Sequence, residues 1–135
     1  MDVFVYGSLT DPETVAEVVD SYAFVGAAVL EGLHPVRGQY PSLAPGGETG
    51  GRLLRTEAMA ELDAYEGTDD GLYVRVSVPK VDTDGEVVGE VGVYVGNHDR
   101  LGVVEDVAWA GDGPLRERVE RYVREERVTV CERRA

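Results

Sequence analysis

Lysine is almost absent from this sequence. Lys80 is the single one among 13 basic residues, the others being arginines, against 26 acidic residues and a net charge of −13. Nucleic acid and anionic membranes both need a cationic footprint, so such a chain is expected to bind neither. Cysteine is as scarce. Cys131 stands alone, which excludes an internal disulfide and fits a reducing cytoplasm. No apolar run approaches the ~18 residues of a membrane-spanning helix. The strongest, S-Y-A-F-V-G-A-A-V-L at 21–30, is roughly half that length. The chain begins at once with a strand pattern and no basic leader, so no signal peptide is expected.

What is present fits one folded domain over residues 1–135, with 43% hydrophobic residues. The acidic, lysine-poor composition resembles that of proteins adapted to high salt, where screening mutes self-repulsion. D-V-F-V-Y (2–6) alternates as a strand does. Asp11 and Pro12 supply a cap and a first position for a helix over 12–19. A strand is expected over 23–32, ended by Gly32. Residues 34–50, with Pro35, Gly38, Pro41, Pro45 and Gly46-Gly47, read as loop. G-R-L-L-R (51–55) is a short strand, and Thr56 is placed to cap a helix over 57–66. Residues 72–81 and 86–95 alternate around D-T-D-G, a hairpin signal. That tetrad lacks the later acidic ligands of a calcium loop. Leu115, Val119, Tyr122 and Val123 mark one face of a helix, and V-T-V-C (128–131) reads as a final strand. The order favours an α+β fold over regular βα alternation.

The helix over 57–66 ends in L-D-A-Y-E-G, and its last position carries an acid where the helix dipole prefers a cation. On a wheel with Ala58 at zero, Tyr65, Leu62 and Met59 fall at about 340°, 40° and 100° and form an apolar stripe. Glu66 falls within it at about 80°, whereas Glu57, Glu61 and Asp63 lie outside. Burial, the negative helix end and the like charges of Asp69 and Asp70 would all raise its pKa. A carboxyl titrating near neutrality suits a proton shuttle. The alternative is a frayed helix end with Glu66 in water.

Y-G-S-L (6–9) ends the first strand. Gly7 and Ser8 can present successive backbone N–H groups to a carboxylate or an oxyanion. The plainer reading is a tight strand-to-helix turn. No G-K-[ST] follows, against a P-loop. His34, His98 and Cys131 show no metal-ligand spacing, so no metal site is expected. Trp109 reads as core, Arg37 as a surface residue, and Tyr94 as facing either core or pocket.

These pieces together resemble the γ-glutamylcyclotransferase-like (AIG2-like) family. V-F-V-Y-G-S-L, Q-Y-P-S-L-A-P (39–45), G-G-R-L-L (50–54), L-D-A-Y-E-G, L-Y-V-R (72–75) and V-G-V-Y-V (91–95) occur in that family's order, over about residues 2–96. The resemblance implies a small mixed β-barrel flanked by helices. It implies that Tyr6, Gly7, Ser8 and Leu9 bind the glutamyl moiety, that Glu66 is the catalytic acid-base, and that Tyr73 lines the pocket. It implies a cofactor-independent reaction on a small γ-glutamyl amino acid, γ-glutamylamine or γ-glutamyl-ε-lysine isopeptide, giving 5-oxoproline and a free amine. Thr10 departs from the basic or amide residue common after Y-G-S-L, and residues 97–135 match no family motif. The alternative of another class is an inactive module binding a small carboxylate or a partner. An anion binder gains nothing from Glu66 in its pocket, although a substrate bearing an ammonium group would. Oligomeric state is not legible.

Overall fold

The computed structural model describes residues 1–38, 40–102 and 109–132. Six strands close into a barrel in the order β1-β3-β2-β6-β4-β5. They are β1 (Asp2–Val5), β2 (Ala23–Val36), β3 (Ser42–Arg55), β4 (Tyr73–Val81), β5 (Val87–Gly96) and β6 (Thr129–Glu132). The barrel is mixed: β1 runs parallel to β5 and β4 parallel to β6, while the other neighbours are antiparallel. Among the described residues four helices flank it: α1 (Pro12–Val18), α2 (Met59–Glu66), the short α3 (His98–Leu101) and α4 (Leu115–Glu125). This is the mixed, helix-flanked barrel expected from the sequence.

Strand alternation sorts side chains onto the two faces of the barrel wall. Phe4, Leu53, Val76, Val78, Val91, Val93 and Val130 join one buried cluster. Val3, Val5, Leu54, Tyr73 and Tyr94, from the opposite phase, join a second cluster with Leu9, Val15 and Leu62 under α1 and α2. Asp11 caps α1 by accepting the Glu13 N–H at 3.1 Å, with Pro12 at the first helical position. Trp109 belongs to the first cluster and meets Tyr122 edge-on at 5.4 Å. The D-T-D-G turn is held by Asp82, whose Oδ1 accepts the N–H groups of Asp84 and Glu86, each at 2.9 Å.

The stretch 34–50 is not a loop. β2 continues to Val36 and β3 begins at Ser42, in one long hairpin with Leu33 opposite Pro45 and Val36 opposite Ser42. The pairing register shifts between Glu31 and Leu33, and Gly46 and Gly47 take positive φ values of 99° and 68° in the facing segment. The irregularity lets the pairing continue through residues that usually break it. Tyr122 of α4 pins the place, donating to the Gly32 carbonyl at 2.8 Å and accepting from the Gly46 N–H at 2.9 Å. Helix α2 also starts later than expected, at Met59. Thr56 holds its approach, accepting the Ala58 N–H at 3.1 Å.

Candidate active site

The end of β1 delivers the chain into a short 3₁₀ turn, Ser8–Thr10. Thr10 closes it: its N–H and its hydroxyl both donate to the Gly7 carbonyl, at 3.0 and 2.7 Å. Arg52 anchors the far side by donating to the Thr10 carbonyl at 2.9 Å. The N–H groups of Ser8 and Leu9, at the start of the turn, have no acceptor within it. The residue in which this chain departs from its resemblance therefore shapes the turn itself.

Helix α2 brings the carboxyl to the same place. Gly67 ends the helix in the left-handed conformation, φ 71°, with its N–H directed at the Ala64 and Asp63 carbonyls. Glycine meets this conformation without steric cost, so the helix stops one residue after Glu66. A cavity of about 320 Å³ opens between this helix end and the turn after β1. Tyr6, Gly7, Ser8, Leu9, Glu66 and Tyr73, the six residues singled out in the sequence, all line it.

Burial raises the Glu66 pKa from 4.5 to about 7. Burial alone is the resolved cause; Asp69 and Asp70, expected to contribute, lie exposed past the helix. Three phenols face Glu66 and stay neutral, their pKa values raised first by burial: Tyr6, Tyr73 and Tyr94. Each is tied down. Tyr6 donates to the Tyr94 carbonyl at 2.6 Å, Tyr73 to the Pro41 carbonyl, and Tyr94 to Asp63 at 2.6 Å. Fixed neutral dipoles and one titratable acid in a small apolar cavity make a setting for proton transfer rather than for charge pairing.

Several wall residues were not read as such from the sequence. Tyr65, assigned to the apolar stripe, is 44% exposed; it lines the cavity and shares a 2.7 Å hydrogen bond with Ser8 Oγ. Tyr40, Pro41 and Leu72 also line it, whereas Arg37 is exposed and outside. Tyr94, left open between core and pocket, is both: 2% exposed and on the cavity wall. Gln39, the first residue of the Q-Y-P-S-L-A-P motif, lies outside the described residues. Among the described residues no group of three or more acids, histidines or cysteines is placed to hold a metal.

Comparison with known proteins points one way. A family profile described as gamma-glutamyl cyclotransferase, AIG2-like, matches residues 3–111. The Arabidopsis thaliana protein AIG2 C is 31% identical over 99 residues, 70% of this chain and 60% of that protein. AIG2-like protein C from the same plant is 33% identical over 99 residues, 70% and 58% respectively. The chain thus spans a little under two thirds of these relatives. Among solved structures, a gamma-glutamyl cyclotransferase matches with TM-score 0.60 at 16% identity, over 92% of this chain and 98% of that one, a likeness of fold alone. A solution structure from Arabidopsis thaliana matches with TM-score 0.59 at 28% identity, over 93% and 83%.

Proposed function

Given that the chain belongs to the gamma-glutamyl cyclotransferase, AIG2-like family, we propose that it converts a γ-glutamyl amino acid or γ-glutamylamine into 5-oxoproline and the free amine, with Glu66 as general acid-base. One observation carries the reading: a carboxyl with a pKa near 7 shares a cavity of about 320 Å³ with the Gly7–Leu9 turn.

The substrate carries both reacting groups. Its α-amine attacks its own γ-carbonyl, forming the ring C–N bond as the γ-amide C–N bond breaks. The step is intramolecular, so the site mainly has to hold the bent conformer, and a small, tyrosine-lined cavity favours it. Ionised Glu66 takes a proton from the α-ammonium, freeing the nucleophilic lone pair. Protonated Glu66 then returns that proton to the departing nitrogen, and the second proton, shed by the ring nitrogen as it becomes the lactam N–H, passes by the same carboxylate to the free amine, which leaves as an ammonium. A pKa near 7 lets one carboxyl serve both steps at neutral pH. The N–H groups of Ser8 and Leu9 suit the α-carboxylate or the developing oxyanion.

The test is release of 5-oxoproline from a panel of γ-glutamyl compounds at low and high salt. Glu66→Gln is expected to keep the fold and lower turnover by at least about 10³-fold, the scale of a lost general acid-base. Turnover by that variant at the wild-type rate would remove Glu66 from the chemistry. No 5-oxoproline from any substrate would favour a binding module instead.

A further inference from the structure

Behind the cavity, a set of contacts ties three elements to the segment that carries Glu66. Asp63 lies one turn earlier on α2, at the spacing where helix side chains are neighbours. Its Oδ1 accepts from the Tyr94 hydroxyl of β5 at 2.6 Å and lies 3.1 Å from Arg75 Nε of β4. Its Oδ2 accepts from a second Arg75 nitrogen at 3.2 Å. Tyr94 also receives the Tyr6 hydroxyl on its carbonyl at 2.6 Å, so the end of β1 joins the same set. The end of β1, β5 and α2 are therefore joined through Tyr94.

We propose that Arg75, Asp63 and Tyr94 form a positioning network for the reaction, holding the last turn of α2 over the cavity and presenting Glu66 with a neutralised ion pair instead of a bare charge. The proposal rests on the reading of Glu66 as the acid-base group.

The geometry supports two separable roles. The fork of Arg75 grips both oxygens of Asp63, which fixes a carboxylate more rigidly than a single contact does. Both side chains are a little over a quarter exposed, at 27% and 28%, so water screens them only in part. Opposite charges held this close largely cancel beyond their immediate neighbours, whereas either one alone would not. The other titratable groups on the cavity wall are phenols: Tyr6 just past β1, Tyr73 of β4, Tyr94 of β5, Tyr65 of α2, and Tyr40 between β2 and β3. Asp63 and Arg75 are the formal charges behind that phenol wall.

The sign pattern follows. Arg75→Met leaves Asp63 uncompensated and should raise the Glu66 pKa by about half a unit. Asp63→Asn leaves Arg75 uncompensated and should lower it by a similar amount. The double variant should return it to near the wild-type value, and Arg75→Lys should stay close to it. Tyr94→Phe keeps both charges and the Arg75 grip but releases α2 from β5, so it should lower kcat roughly tenfold with the pKa unmoved. The readout is carboxyl-carbon NMR titration of Glu66, its signal assigned by loss in Glu66→Gln, together with the pH profile of kcat/KM and thermal unfolding of each variant. A merely structural role predicts lowered melting temperatures with the Glu66 titration unchanged, and that result would overturn the proposal. So would two single variants shifting in the same direction. The NMR titration needs no turnover, so an inactive wild-type protein would sink the cyclotransferase reading and still leave the network judged on its own.

Discussion

Glu66 ends a helix whose next residue, Gly67, turns the chain away with φ 71°. Its charge is opposed by burial, and that opposition is a stability statement as well as a chemical one. The folded protein binds this proton more tightly than the unfolded chain, with a pKa of about 7 against 4.5. The stabilisation is complete below about pH 4.5 and is lost as pH rises through 7, by up to about 3 kcal/mol. Glu66→Gln has no such proton to lose. Its stability relative to wild type should therefore rise between pH 5 and pH 8, by a few kcal/mol at most. Urea denaturation of both proteins at the two pH values measures this. A difference that does not change with pH would mean that the carboxyl ionises freely and is not held out of water.

At the scale of elements, the close contact of β3 with the end of β1 places the turn. A Cβ on Gly51 would lie 2.3 Å from the Val5 carbonyl oxygen and 2.7 Å from the Phe4 ring. Gly51→Ala must push β1 away from β3, two residues before Gly7. The expected cost is about 1–3 kcal/mol of stability, as for other overpacked sites. Substrate affinity should fall as well if the Gly7–Leu9 turn binds substrate as proposed, because the displaced strand carries that turn; thermal melts and KM check the two effects. Such a contact leaves no trace in local sequence beyond a glycine. What the sequence did show was short-range. Alternation gave the β4–β5 hairpin, and Asp11-Pro12 marked the start of α1. Residues 34–50 misled because Pro35, Pro45 and Gly46-Gly47 break isolated strands, whereas here Tyr122, 76 residues along the chain from Gly46, holds the irregularity in place. The inward turn of Glu66 was visible on a helical wheel. The wheel misplaced Tyr65 because this helix end faces a cavity rather than packed core. The bond from Tyr94 to Asp63 joins residues 31 apart, which no local periodicity reveals.

The whole molecule carries 26 acids against 13 bases, a net charge of −13. With twice as many acids as bases, about half of the acids can have no basic side chain of their own. Ion pairs among the described residues include Arg55–Asp2, Arg75–Asp63, Lys80–Glu132 and the amino terminus with Glu57. α2 and the segment after it place Glu61, Asp69 and Asp70 at the surface. Folding concentrates this charge, so self-repulsion opposes the compact state at low ionic strength. Salt shortens the reach of that repulsion from about 10 Å at 0.1 M to about 3 Å at 1 M. Each kcal/mol so relieved is worth about 4 °C in a domain of this size. The melting temperature should therefore climb by at least about 4 °C between 0.1 and 2 M KCl. The part-buried Arg75–Asp63 pair should be affected less than fully exposed pairs, and the Glu66 titration should move less than those of surface acids. Sucrose at matched osmolarity separates screening from general solvent exclusion, since it stabilises without screening charge. A melting temperature that is flat or falls in KCl would mean that the acidic surface is no adaptation to salt, and the same curve in sucrose and KCl would mean that repulsion is not what limits stability.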